Sequence, residues 1–263
     1  MNPPVLTVVS AGIARITLNR PEKRNALNRA SIGLLIEQLR QCARDPAVRV
    51  VQITGAGTAF CAGADLGEMQ AQAQASEAAN LQDAEQLAML LALLDSLPKP
   101  TLARVNGDSY GGALGLLAAC DIVVALDEAK FAFTEVRLGI IPAVVSPFVL
   151  SKIGESAARR YFLTAETLTA ATLQELGLVH EVVPGDLLDP CCTRICEALL
   201  KAAPQALAEA KTLISDVAGS AASNRAAASL KAAARLARLR IQAEAQEGFD
   251  AFFAKRKASW RHD

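Results

Sequence analysis

Two short glycine-bearing segments lie about fifty residues apart, each directly after a β-branched apolar run, and they constrain this chain more than any other feature. Phe60-Cys61-Ala62-Gly63-Ala64-Asp65-Leu66 follows Val50-Val51-Gln52-Ile53-Thr54. Asn106-Gly107-Asp108-Ser109-Tyr110-Gly111-Gly112-Ala113-Leu114-Gly115 follows Thr101-Leu102-Ala103-Arg104-Val105 and opens into a helix-like stretch, Gly112 to Ala119. Small residues let a ligand approach the main chain, and amides at a helix N-terminus are unpaired donors at the positive end of the dipole. Two such loops facing one another can hold a carbonyl oxygen between two N–H groups, an oxyanion hole, with Ala64 and Gly112 as the best donors. The plain alternative is a pair of tight strand-to-helix turns. Finding two in the same setting favours an anion or carbonyl site.

Around these loops the pattern mixes strands and helices early and becomes helical late. Val5–Val9 and Ile13–Leu18 read as an opening hairpin. Asn19 to Asn25 is a polar connection, followed by a helix from about Leu27 to Arg40 with Ile32, Leu35, Ile36 and Leu39 at helical spacing. Strands are expected at Val48–Thr54, 101–105, Ile122–Leu126, Phe131–Phe133 and Leu178–Val183, and one or two helices over Glu68–Leu97. Helices are expected at 144–153, 156–163 and 169–176, then from about Leu187 to the end. This is an α/β core with a helical tail. No internal repeat of fixed period is visible.

Hydrophobic residues make up 52% of the 263 and charged residues only 21%, so apolar surface is expected to be buried between subunits. Lys+Arg and Asp+Glu both number 27, which gives nucleic-acid binding no support. No apolar run approaches the ~20 residues of a membrane span, and the N-terminus lacks the regions of a signal peptide. The six cysteines (42, 61, 120, 191, 192, 196) form no pair of CxxC motifs, and the only histidines are His180 and His262, so free buried thiols in a cytoplasmic protein are expected, with no metal. Cys61 lies inside the first loop, but without a nearby His or Lys it is a poor nucleophile.

Glu135 is a carboxylate in the run Phe131-Ala132-Phe133-Thr134-Glu135-Val136-Arg137-Leu138-Gly139-Ile140-Ile141-Pro142, just past an expected strand end. Burial would raise its pKa and suit it to proton transfer. An ion pair with Arg137, or a plain surface glutamate, is the alternative.

The ordered segments Leu18-Asn19-Arg20-Pro21 with Asn25-Ala26-Leu27, Phe60–Leu66, Asn106–Asp121, Glu135–Pro142, Ala165–Val183 and Glu247–Lys257 resemble those of the crotonase (enoyl-CoA hydratase/isomerase) superfamily over essentially the whole chain. The resemblance implies a spiral of ββα units over residues 1–195 and a helical oligomerisation region over 196–263, assembled as a homotrimer or dimer of trimers. It implies an acyl-CoA thioester as substrate and no separate cofactor. By motif position, Ala64 and Gly112 match the oxyanion-hole amides, each worth about 3–4 kcal/mol of barrier, and Glu135 matches the glutamate that exchanges the C2 proton. Lys23 and Arg24 fall where basic contacts to the CoA phosphates are expected, and Ala62 and Gly63 on the adenine side. Ala26, Asp65, Leu66, Tyr110, Gly111 and Pro142 complete the expected substrate contacts, with Phe252 and Lys255 reaching a neighbouring subunit's CoA. Lys255-Arg256-Lys257 also reads as a solvated helix end.

The sequence departs from the pattern at Gly115, where simple hydratases of the family carry a second, water-activating glutamate. One retained glutamate suits an isomerase. Yet Tyr110–Leu116, Phe133–Ala143, Ser146–Val149 and Ala157–Tyr161 resemble bacterial methylglutaconyl-CoA hydratases, which also lack it. The expectation is therefore a lyase that hydrates a branched or carboxylated 2-enoyl-CoA such as 3-methylglutaconyl-CoA. A double-bond isomerase and a non-catalytic CoA-ester binder are the alternatives. Glu135 acting alone or a substrate carboxylate would activate water, Ser146 or Tyr110 would position it, and Arg137 is a candidate for a distal carboxylate.

Overall fold

The computed structural model describes residues 3–218 and 225–261. The chain opens as the antiparallel hairpin β1 (Val5–Ser10) and β2 (Ile13–Leu18), turning through Ala11 and Gly12, both at positive φ. Parallel strands β3 (Val50–Gly55), β5 (Thr101–Val105), β7 (Ile122–Leu126) and β10 (Glu181–Val183) extend the sheet in the order β1-β2-β3-β5-β7-β10. A second sheet joins β4 (Ala59–Cys61), β6 (Asp108–Tyr110), β8 (Lys130–Ala132) and β9 (Leu168–Thr169). Three times the chain lays one strand in the first sheet, the next in the second, and then a helix.

The parallel strands are predominantly apolar, interrupted by Gln52 in β3 and Arg104 in β5, because both faces of the large sheet are covered. One face carries the main core, where α1 (Arg29–Arg44), α3 (Glu77–Asp95) and α4 (Gly112–Ala119) bring Leu35, Leu39, Leu90, Leu91, Leu94 and Leu117 to complete burial. The other face is capped by α7 (Leu188–Lys201), whose Leu188, Cys191, Cys192 and Cys196 pack on Val50, Leu102 and Val124. Arg49 ties the tail back to the sheet by donating to the carbonyls of Ala202 (2.7 Å) and Trp260 (3.0 Å).

Several boundaries move. The first helix starts at Arg29, capped by the Asn28 side chain, and continues to Arg44. The stretch after the first loop is two helices, α2 (Leu66–Gln72) and α3, because Ser76 caps a new start. The helices expected at 144–153 and 156–163 form one element, α5 (Ser146–Thr164), broken at Gly154 by a φ of 74° that a glycine tolerates. The strand expected at Leu178–Val183 keeps only its last three residues, and α6 (Ala170–Glu175) precedes it. The tail contains α8 (Pro204–Ala218), α9 (Arg225–Arg240) and α10 (Ala243–Phe253).

The turn between β5 and β6 admits no side chain at Gly107, where a Cβ would stand 2.0 Å from the carbonyl oxygen of Thr58. Gly107→Ala must displace backbone, so it is expected to lower stability by about 1–3 kcal/mol in urea titrations.

Candidate active site

The second sheet brings the two glycine loops side by side, because β4 and β6 are parallel neighbours with Ala59 opposite Asp108 and Cys61 opposite Ser109. Beyond the strands the loops touch main chain to main chain. Gly63 (φ +88°) lies so close to Tyr110 that a Cβ would stand 2.7 Å from its carbonyl oxygen. Two side-chain amides, the buried Asn25 and the half-buried Asn106, hold the approach. Asn25 donates to the carbonyls of Ala56 and Ala59 at 2.8 Å each, and Asn106 accepts from Gly55 N–H at 3.0 Å while donating to Gly57 at 2.9 Å. The sequence placed Asn25 in a polar connection and in a segment resembling the family, but assigned it no role; its burial inside the fold is what the residue order did not reveal.

The backbone around each expected donor is spoken for, and the donor is not. Leu27 N–H donates to Gly63 O at 2.7 Å and Asp65 N–H to Leu27 O at 2.9 Å, so the Ala64 amide between them faces away from that bridge. Gly111 N–H donates to Ala132 O at 3.0 Å, and Gly112 then starts α4. Neither Ala64 nor Gly112 donates to a protein acceptor among the described hydrogen bonds. Both line one cavity of about 310 Å³, together with Glu135. Its walls include Leu27, Met69, Leu87, Ile140, Pro142 and Val145.

Glu135 follows β8 and opens a 3-10 turn, Glu135–Leu138. A Cβ on Gly111 (φ +53°) would stand 3.2 Å from its Oε1, so the absence of that side chain lets the carboxyl lie against the second loop. Its Oε2 is buried without a hydrogen-bond partner, and burial pushes its pKa above the usual carboxylate range. The ion pair weighed with Arg137 does not form. Arg137 instead donates to Ala165 O at 2.8 Å. Two amide donors and one carboxyl of raised pKa around a partly open, largely apolar cavity can stabilise an enolate oxygen and move a proton on the carbon beside it.

Other expected residues are distributed less evenly. Asp65 and Pro142 line the cavity, although the Asp65 carboxylate is paired with Arg20 at 2.7 Å and accepts from Gly67 N–H at the start of α2. Ala26 is buried, and its carbonyl accepts from Arg20 at 2.7 Å. Lys23 and Arg24 are exposed beside the loops, where the Arg24 side chain pairs with Asp108 at 3.2 Å and its carbonyl accepts from Ala62 N–H at 2.9 Å. The Tyr110 hydroxyl donates to Asp108 at 3.1 Å, and Ser146 Oγ donates to Ala143 O at 2.7 Å, so neither is brought into the cavity lining. Leu66, Phe252 and Lys255 are exposed and outside that lining. Burial pushes the Cys61 thiol up to about 12, which removes it as a nucleophile. All six cysteines are free and buried. Among the described residues no cluster of His, Cys, Asp and Glu could hold a metal ion, and no helix is long and apolar enough to cross a membrane.

The raised pKa of Glu135 means the folded chain holds that proton more tightly than the unfolded chain. Its stabilising contribution is present below the ordinary carboxylate range and is lost as pH rises through the raised value. Glu135→Gln removes that loss. The variant is expected to be more stable than the parent at about pH 8, with the difference closing below about pH 4, as read from urea midpoints.

Comparison with known proteins agrees with this geometry. Residues 9–263 match the family model for enoyl-CoA hydratase/isomerase. A 2,3-dehydroadipyl-CoA hydratase of Escherichia coli is 39% identical over 197 residues, 74% of this chain and 75% of the relative. A hydroxycinnamoyl-CoA hydratase-lyase of Pseudomonas fluorescens is 36% identical over 207 residues, 77% of this chain and 75% of the relative. The crystal structure of an enoyl-CoA hydratase from Shewanella pealeana superposes with a TM-score of 0.93 at 39% identity, covering 98% of this chain and 96% of that one. The two touching loops, the free amides and the buried glutamate thus sit in a crotonase spiral, and the chain belongs to the enoyl-CoA hydratase/isomerase family of enzymes.

Proposed function

We propose that this enzyme adds water to a branched or carboxylated 2-enoyl-CoA, with 3-methylglutaconyl-CoA as the first substrate to try. The observation that carries the reading is the buried, unpartnered oxygen of Glu135, whose carboxyl lies against Gly111, one residue before the free Gly112 amide. In this reading Ala64 and Gly112 hold the thioester oxygen as it becomes an enolate, and Glu135 carries the proton at C2. The carboxylated substrate class is supported by the Escherichia coli relative named for 2,3-dehydroadipyl-CoA. The apolar wall of Ile140, Ile141 and Pro142 would receive a branch at C3.

The CoA itself would run past Lys23, Arg24, Ala62, Gly63, Leu66 and Tyr110. Phe252 and Lys255 would contact the CoA of a neighbouring subunit in a homotrimer or dimer of trimers. The exposed apolar chains Ile241, Phe249, Phe252 and Phe253 support residues 196–263 as the oligomerisation region. The thioester supplies the activation, so no further cofactor is required, and the six free, buried cysteines support a cytoplasmic site of action.

A second reading, migration of the double bond, is favoured by Gly115. A Cβ there would stand 2.6 Å from Val145 Cγ1 and 2.9 Å from Leu91 Cδ1, so apolar packing fills the flank where the family's two-glutamate hydratases place a carboxylate. Mass spectrometry of 3-methylglutaconyl-CoA incubated in deuterated water separates the readings. Gain of one water with deuterium at C2 is the expected outcome, and deuterium without added water would favour the isomerase. Glu135→Gln should lower turnover by about 10²–10⁴-fold, and near-normal turnover would remove Glu135 from the scheme.

A further inference from the structure

Hydration requires two proton movements at adjacent carbons. One leaves water as its oxygen bonds to C3, and one arrives at C2. Glu135 accounts for the second, while position 115 is closed by Val145 and Leu91 to the carboxylate that would account for the first. The cavity that holds Glu135 is also lined by Asp65, Glu68 and Asp83. Two of these are committed to backbone and to the fold. Asp65 is paired with Arg20 and caps α2, and Glu68 accepts from Arg29 N–H through both oxygens at 2.8 and 3.1 Å.

Asp83 is different. Its described partners are side chains alone: Gln72 Nε2 donates to Oδ2 at 2.5 Å, and the exposed Arg29 forms a long ion pair with Oδ1, through Nη2 at 3.3 Å and Nε at 3.4 Å. Gln72 is itself steadied by Asn80, which donates to its carbonyl at 3.1 Å. The carboxylate is therefore oriented, yet it keeps acceptor capacity, since an ionised carboxylate has about four lone-pair sites. Its place along α3 suits the reaction. Asn80, Asp83, Ala84 and Leu87 form the helical face that lines the cavity. Leu87 touches the hole, with its Cδ2 3.7 Å from where a Cβ on Gly112 would stand. Asp83 sits one turn before Leu87, about 6 Å along the axis, and lines the same cavity as Ala64, Gly112 and Glu135.

We propose that Asp83 is the second catalytic carboxylate, supplied from α3 in place of the residue missing at position 115. The assignment rests on the hydratase reading. Water oxygen bonds to C3, the C2–C3 π pair moves into the thioester to form the enolate, and the water proton passes to Asp83. The enolate then takes the proton of Glu135 at C2, and exchange with solvent returns both carboxyls to their starting states. Reversal of the same steps dehydrates the product.

The experiment compares the parent, Asp83→Asn, Asp83→Glu and Glu135→Gln in two assays. One is hydration of 3-methylglutaconyl-CoA and crotonyl-CoA, and the other is deuterium exchange at C2 of butyryl-CoA. Asp83→Asn is expected to lower kcat for hydration by about 10²-fold or more with KM little changed. It should retain C2 exchange, which needs only the hole and Glu135 and also reports an intact fold. Asp83→Glu should recover part of the hydration, and Glu135→Gln should lose both activities. Hydration that survives in Asp83→Asn, or a parallel loss of hydration and exchange, would overturn the assignment. A parent that exchanges C2 but hydrates neither probe would overturn the hydratase reading as well, a separate and recognisable failure.

Discussion

At Gly63 the main chain of one loop lies against the carbonyl of Tyr110 in the other, closer than any side chain would allow. Nearly everything functional depends on that contact. It is available because β4 and β6 pair in parallel, and it is held by Asn25 and Asn106, whose side chains satisfy the buried Ala59 carbonyl and Gly55 amide, groups that would otherwise be costly, and also bond the Ala56 and Gly57 carbonyls. With the loops in register, the amides of Ala64 and Gly112 open onto the same cavity without being aimed by any side chain. The donors are thus built from backbone, and their orientation is as rigid as the sheet beneath them.

Glu135 belongs to the same construction. Its carboxyl occupies space that Gly111 leaves empty, so a glycine at positive φ serves both the helix start and the seat of that carboxyl. Burial that leaves one oxygen unpartnered is unfavourable for the ionised form, and the raised pKa is the chemical expression of that cost.

Much of this was legible in the residue order. Parallel strands covered on both faces read as mostly apolar, β-branched runs, so β3, β5 and β7 were visible, as was α4 behind its glycines. The short strands β4 and β6 were not, since three residues such as Asp108-Ser109-Tyr110 carry no alternation to detect. Nor was the spiral visible as a repeat, because one turn carries helices over residues 66–95 and the next only the eight residues of α4. Side-chain partners were the least accessible layer. Arg137 turning to Ala165, Tyr110 to Asp108 and Ser146 to Ala143 are choices made by packing between segments far apart in sequence or by local turns. Asp83 left no mark, because one of the acidic residues scattered along an Ala- and Leu-rich helix, with Glu77 and Glu85 close by, looks like solvent-facing surface.

The fit of Val145 and Leu91 over Gly115 also has a historical side. A carboxylate arriving alone at position 115 collides with a packed wall, and a smaller residue arriving alone at position 145 leaves a void beside a glycine. Each change is harmful without the other, so single substitutions meet a barrier between this arrangement and the two-glutamate one. Descendants of such a chain are more readily altered along the cavity face of α3, where side chains meet open space, than at the sealed flank of α4.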